Sequence, residues 1–110
     1  MIAQLFMDRF GYALISSFFE GLAIAVKDGQ CFHIREDGTP AYTQRFDGAG
    51  CFSGGLAQVS KDRQCFHIDK DGNAVYPEKY DAVGDFSGGT TIVKKDEQEF
   101  RIDKSGKKLP

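Results

Sequence analysis

A spacing of 34 residues constrains this chain more than any other feature. Steps of 34 bring like residues together in Phe18, Phe52 and Phe86, in Gly21, Gly55 and Gly89, in Phe32, Phe66 and Phe100, in Ile34, Ile68 and Ile102, and in Gly38, Gly72 and Gly106. Self-similarity at a fixed period of this size is typical of tandem repeats, whose units bury their apolar faces against one another. We therefore treat residues 1–110 as a single repeat domain with a partial leading repeat (1–18), two full repeats (19–52 and 53–86) and a truncated third repeat (87–110).

Within one copy, short apolar runs alternate with turn residues, which is typical of strands joined by hairpins. In the second copy these runs predict strands over 55–60, 64–69 and 74–76, and a fourth over 81–86. No segment has the length and periodicity of a helix. The sequence predicts an all-β protein of tandem antiparallel hairpin or meander repeats in an open array, because about three copies are fewer than the roughly four to eight blades of a closed propeller.

Two turns recur in each copy, and only one of them keeps its glycine in all three copies. Asp28-Gly29 is a pair typical of tight hairpin turns with positive φ, but Arg63 and Glu97 replace its glycine in the later copies. The comparison predicts that this turn does not require the left-handed conformation. The turn that contains the Gly38 column keeps glycine in every copy and is predicted to require it.

Side chains alternate along a strand, so comparison of the copies sorts the two faces of the second strand. Its phenylalanine and isoleucine never change, which predicts that they face the core. The residues that alternate with them vary between copies, which is typical of a solvent-facing surface. This candidate binding face, for a protein or peptide partner, consists of Cys31, His33, Cys65, His67, Glu99 and Arg101.

The second copy reads Phe-Ser-Gly-Gly-Leu-Ala-x-Val, then Lys-Asp-x-Gln-x-Phe-His-Ile-Asp-Lys-Asp-Gly, then Val-Tyr-Pro-x-x-Tyr-Asp-x-Val-Gly-x-Phe. This unit resembles the WG (KWG-type) repeat family of bacterial β-rich tandem repeats, and the likeness covers residues 12–110. The Trp-Gly pair that names the family would fall at Cys31-Phe32, Cys65-Phe66 and Glu99-Phe100, but the chain has no tryptophan. The resemblance implies a β-repeat module and implies no enzymatic activity.

The paired Cys-x-His motifs offer a second interpretation. Alternation places Cys31 and His33 on one face of a strand, and Cys65 and His67 repeat the pattern, so two adjacent copies could supply a Cys2His2 set for zinc. The third copy has neither ligand. A zinc-binding module is therefore the alternative function, beside a non-catalytic binding or scaffolding module without a cofactor.

Two other motifs are better explained as turns than as ligand-binding loops. The segment 69–73 resembles the start of a calcium loop, but Ala74 and Tyr80 stand where such a loop needs glycine and glutamate. The Ser-Gly-Gly segments 53–55 and 87–89 lack the lysine and helix start of a phosphate loop, so they are predicted to be turns between copies.

The sequence also contains no convincing set of catalytic residues. Cys65 and His67 have no obvious third group to orient a histidine base, so we predict that the protein is not an enzyme. Asp47 and Asp81 recur at equivalent places and are interpreted as turn or surface residues.

The net charge and the composition restrict the classes of partner and the cellular location that we expect. The net charge of −2 argues against nucleic acid, and the apolar start of the chain is interrupted by Asp8 and Arg9 too early for a signal peptide or membrane span. Three cysteines cannot all pair within one chain, which favours a reducing, cytoplasmic location. No capping segment is evident, and open ends of a repeat stack expose apolar surface, so we predict self-association.

Overall fold

The structure, a computed structural model, describes residues 2–110, so Met1 of the leading repeat lies outside the described residues. A helix, α1 (Ile2–Phe10), precedes nine strands: β1 (Leu14–Ile15), β2 (Ala23–Lys27), β3 (Gln30–Ile34), β4 (Gly48–Ala49), β5 (Ala57–Lys61), β6 (Gln64–Ile68), β7 (Ala82–Val83), β8 (Thr90–Lys95) and β9 (Gln98–Asp103). They form three antiparallel three-stranded sheets, β1-β2-β3, β4-β5-β6 and β7-β8-β9. The molecule is elongated, 48 × 26 × 19 Å, so the predicted β fold and open array are confirmed.

Each sheet combines parts of two successive copies. β4 ends the copy 19–52 but pairs with β5 of the next copy, where Gly48 lies opposite Ser60. β7 and β8 repeat this arrangement, with Ala82 opposite Lys94. The strand predicted over 74–76 is reduced to one bridge between Ile68 and Ala74, so that prediction was wrong. Because the sheets cross the copy boundaries, each 34-residue unit depends on its neighbour for a complete sheet.

The invariant phenylalanine and isoleucine columns form the core, as predicted. Ile34, Ile68 and Ile102 are fully buried. Burial of one such side chain contributes about 1.5 to 3 kcal/mol to stability. The opposing strand positions hold small or β-branched residues, and those facing the core are Ala23, Ala25, Ala57, Val59, Thr91 and Val93.

An aromatic contact links each copy to the next. An edge-to-face pair joins Tyr12 to Phe32, with ring centres 5.6 Å apart, and its counterparts join Phe46 to Phe66 and Tyr80 to Phe100. A cation also lies over each of these phenylalanine rings, since Arg45, Lys79 and Lys108 lie 3.8, 4.1 and 4.6 Å from the ring centres of Phe32, Phe66 and Phe100. The recurring aromatic column therefore ties neighbouring copies together.

The hairpin turns between β2 and β3, β5 and β6, and β8 and β9 contradict the prediction from the sequence. Both central residues have positive φ in every copy, including Arg63 at 65° and Glu97 at 67°. A two-residue hairpin needs this mirror-image turn because its twist matches that of the strands. The carboxylate of Asp47 accepts a hydrogen bond from the Asp62 N–H at 2.9 Å, and Asp81 does the same for Asp96 at 3.0 Å. These recurring aspartates support the turns, which agrees with their interpretation as turn residues.

The turn that contains the Gly38 column does require glycine, as predicted. Gly38 and Gly72 have φ of 89° and 84°. A Cβ at Gly72 would also lie 2.5 Å from the ring of Tyr42 in the preceding copy. Glycine is therefore fixed here both by backbone conformation and by close contact between copies.

Helix α1 was not predicted. Its Phe6 is buried, and the Phe6 and Phe10 rings lie against Gly38 as Tyr42 lies against Gly72 one copy later. The helix thus takes the position that Tyr42 has one copy later and covers this part of the first copy, a contact that the sequence did not predict. Nine residues are too few to give a clear helical periodicity. Self-association stays a prediction.

Among the described residues, no helix is long and apolar enough to cross a membrane.

Candidate binding surface

The six variable residues of the second strands do not form one exposed face. Cys31 and Cys65 are half-buried and Glu99 and Arg101 are exposed, but His33 and His67 have relative exposures of only 0% and 1%. The expected exposure of the two histidines was therefore wrong. Both do point away from the hydrophobic core of their own sheet, but the tail of the same copy folds over them, placing Phe52 4.5 Å from His33 and Phe86 4.6 Å from His67 between ring centres.

Each buried histidine has a full set of hydrogen bonds. His33 Nδ1 lies 2.6 Å from the Tyr42 hydroxyl and Nε2 lies 2.8 Å from the Gly50 carbonyl oxygen. His67 repeats both contacts at 2.7 Å, with Tyr76 and Gly84. A carbonyl oxygen only accepts, so Nε2 carries the proton in each neutral ring and Nδ1 accepts from the tyrosine hydroxyl.

This tyrosine–histidine–carbonyl chain fixes the protonation states. Burial lowers the pKa of His33 and of His67, and the carbonyl contact of each opposes this only in part. Burial also raises the pKa of Tyr42 and of Tyr76 far above the ordinary value. The two chains are therefore neutral structural links between the second strand and the tail of each copy.

These contacts argue against zinc binding by Cys31, His33, Cys65 and His67. Neither histidine has a free ring nitrogen, because Nδ1 and Nε2 are both engaged within the protein. In residues 2–110 no group of three or more histidine, cysteine, aspartate or glutamate side chains is placed to hold a metal ion. The segment 69–73 folds as a hairpin turn in which the Asp69 carboxylate accepts from the N–H groups of Asp71 and Asn73.

Cys31 and Cys65 do not have the environment of nucleophiles. Burial, and then the nearby Asp47 carboxylate, raises the pKa of Cys31; Cys65 is raised in the same way beside Asp81. A raised pKa keeps a thiol in its unreactive protonated form. All three cysteines, Cys31, Cys51 and Cys65, are free thiols.

A groove recurs on the outer face of the sheets, beside the variable cysteine and glutamate. In the second sheet a groove of about 290 Å³ is lined by Gly48, Ala49, Gly50, Gln58, Val59, Ser60 and Cys65. In the third sheet a groove of about 240 Å³ is lined by the residues 34 positions later, Ala82, Val83, Gly84, Ile92, Val93, Lys94 and Glu99. We call these the second-sheet and third-sheet grooves. Their position is the same, but the side chains at their rims differ.

The rims differ most at three positions, one of which is Ser60, replaced by Lys94. Gln58 becomes Ile92, whose side chain is 46% exposed, and Cys65 becomes Glu99. In the first sheet the corresponding face carries Leu14, which is 65% exposed and lies opposite Val26. Comparison of second strands alone missed Ile92 and Leu14, since these two lie on the first two strands of their sheets. The signal for Ile92 was the variation at the Gln58 column between copies that otherwise match.

A carboxylate site lies on another side of the stack, where two copies meet. Both oxygens of Glu20 accept hydrogen bonds from the next copy, from the N–H of Gly54 at 2.6 Å and of Gly55 at 2.9 Å. These N–H groups hold the pKa of Glu20 below its ordinary value, and Lys70 contributes to a lesser degree. Lys70 Nζ lies 3.6 Å from Glu20 Oε1 and also donates to the Glu20 carbonyl oxygen. The predicted turn at 53–55 is thus confirmed as a turn, one that also receives an anionic side chain.

Comparison with known proteins agrees with the repeat architecture. A family model described as "WG containing repeat" matches residues 34–65 and 68–98, which together are more than half of the chain. The search of curated proteins found no match.

Proposed function

Because the chain belongs to the WG-containing repeat family, we propose that it is a non-catalytic module that binds a protein or peptide partner along the outer face of its sheets. The recurrence of the groove carries this proposal. The same concave site is present in the second and third sheets, at about 290 and 240 Å³. Repeat proteins commonly bind extended partners on surfaces built from successive units. A chain laid across both grooves would meet the same backbone shape twice with different side chains at the rims.

The chemistry of the rims indicates which partner fits. Ile92 offers an exposed apolar contact in the third-sheet groove, and Lys94 and Glu99 flank it with both charges. In the second-sheet groove the rim is neutral and polar, with Gln58 and Ser60. A mixed rim around one apolar contact suits a peptide with an apolar anchor and polar neighbours.

The contacts of the titratable groups favour a binding role over catalysis. The imidazole of each histidine is sealed between a tyrosine and a carbonyl group, and Cys31 and Cys65 have raised pKa values. A nucleophile needs a base that can accept its proton, and neither histidine has a free nitrogen to do so. The cytoplasmic location predicted from the cysteines stays a prediction.

Selection of peptides from a random display library against the purified protein would test the proposal. We expect selected peptides to lose about tenfold or more in affinity, measured by fluorescence anisotropy, when Ile92→Asp places a charge in the third-sheet groove. Phe19→Asp is a matched control, because Phe19 is 49% exposed, is apolar and lies in a turn outside the grooves. Equal losses in the two variants, or a library that yields no binder, would contradict the proposal.

A further inference from the structure

The turn that opens the third copy repeats the carboxylate site of the second copy, without its carboxylate. Gly54 and Gly55 have φ of 60° and 82°, and Gly88 and Gly89 have φ of 62° and 85°. Matching bridges close the two turns, from Ser53 to Leu56 and from Ser87 to Thr90. The N–H groups of Gly88 and Gly89 therefore converge as those of Gly54 and Gly55 do. Such successive amides form a concave anion-binding nest.

The lysine beside Glu20 also has an equivalent one copy later. Lys104 stands 34 residues after Lys70, in the same turn of the next copy. The two turns have the same backbone hydrogen bond. The Asp69 N–H donates to the Asn73 carbonyl oxygen, and the Asp103 N–H donates to the Lys107 carbonyl oxygen, each at 3.0 Å. Lys104 is exposed, and within residues 2–110 its ammonium has no hydrogen-bond acceptor or salt-bridge partner.

The occupant is missing for a reason visible in the sequence. Glu20 fills the site of the second copy, and the residue in its place one copy later is Gly54, which has no side chain. Within residues 2–110 the Gly88 and Gly89 N–H groups have no acceptor. The turn of the first copy is a poor equivalent, because Glu36 stands there in place of the lysine.

We propose that the Gly88–Gly89 nest, with Lys104, is an open receptor for a carboxylate, supplied by a glutamate or aspartate side chain of a partner polypeptide. The Glu20 contacts show the chemistry inside the same chain, where two amides and one ammonium hold one carboxylate. The site lies at the turn between copies and is distinct from the grooves, so it can bind whether or not the grooves do.

Amide NMR with two probes tests this site directly. Titration with sodium acetate, and with a capped Gly-Glu-Gly tripeptide, is expected to shift the Gly88 and Gly89 amides in a saturable way, whereas sodium chloride at the same ionic strength does not. Lys104→Ala should weaken binding about two- to fivefold, as for an exposed ion pair.

Two variants use the repeat as its own control. Gly54→Glu restores the missing carboxylate and should abolish the shifts by filling the nest from within. A Cβ at Gly54 meets no atom within 4 Å, and Glu20 shows that glutamate adopts this left-handed conformation in the same chain, at φ of 53°. Conversely, Glu20→Gly, which copies the residue found one copy later at Gly54, removes the carboxylate from the Gly54–Gly55 nest, so acetate should then also shift Gly54 and Gly55.

Different results would overturn different parts of the proposal. The absence of saturable shifts at Gly88 and Gly89 would overturn the receptor, and so would shifts that persist in Gly54→Glu. Binding of acetate without binding of the tripeptide would show that a side-chain carboxylate cannot reach the nest, and would overturn the polypeptide partner. None of these results depends on Ile92, so they leave the groove proposal to its own test.

Discussion

Moderate acid should destabilise this protein through its two buried histidines. Burial lowers the pKa of His33 and His67 in the folded state, whereas both return to an ordinary value near 6.5 when the chain unfolds. The unfolded state therefore binds more protons below this pH. The stabilisation is complete above the unfolded pKa and is lost as the pH falls from there to the lowered pKa of the folded state.

The size of the effect follows from linkage. If a folded histidine stays neutral, lowering the pH from about 7.5 to about 5.5 reduces the free energy of unfolding by at most about 1.4 kcal/mol. The two sites are alike in burial and contacts, so together they set a ceiling of about 2.7 kcal/mol, a large part of the 5 to 15 kcal/mol typical of a domain. The carboxylates with lowered pKa, such as Glu20 and Asp103, act only at lower pH.

Urea denaturation at a series of pH values, followed by circular dichroism, measures this loss. His33 and His67 are the chain's only histidines, so NMR of the imidazole C–H groups assigns the titration without ambiguity. His67→Gln should halve the pH dependence and leave the His33 part in place. A free energy of unfolding that stays constant between pH 7.5 and 5.5 would refute the reasoning, as would folded histidines that titrate at their ordinary pKa.

Three further substitutions test other features of the fold, each by urea denaturation at neutral pH. Tyr42→Phe should destabilise by about 1 to 3 kcal/mol, because the Tyr42 hydroxyl contacts His33 Nδ1 at 2.6 Å and accepts the His33 backbone N–H at 3.1 Å; an unchanged free energy of unfolding would count against this. Arg63→Gly should stabilise by about 0.5 to 1 kcal/mol, since it relieves a left-handed residue at φ 65°, and a loss of stability would show that the turn is unstrained. Thr91→Val should stabilise by about 1 kcal/mol, because the buried Thr91 hydroxyl has no hydrogen-bond partner among the described residues; a destabilised variant would indicate that this hydroxyl is satisfied.

The hairpin turns illustrate how comparison between copies can mislead. From the sequence alone, the replacement of Gly29 by Arg63 predicts that the backbone does not require positive φ. In the structure all three turns have positive φ, because the twist of the paired strands selects the turn and the buried face of those strands offsets the strain. Variation at a position therefore reports how much strain the fold tolerates and does not by itself report the backbone conformation.

The histidines illustrate the limit of alternation within a strand. Period two correctly separated His33 from Phe32 and Ile34, and it placed them on opposite faces of the sheet. It could not reveal that Tyr42 and Phe52, from later in the same copy, cover the second face. Solvent exposure depends on what packs above a strand, which lies many residues away in the chain.

The sequence by itself determined the 34-residue unit, its β character, its family, the core columns and the glycine turn, because each is a local pattern repeated three times, and repetition separates signal from chance. Only the tertiary structure decided that sheets cross the copy boundaries, that α1 packs on the first copy, and that grooves and a carboxylate nest lie between elements. These features arise where residues of different copies meet, as Glu20 meets Gly54 and Gly55, and their geometry is set by how copies stack rather than by the order of residues within one.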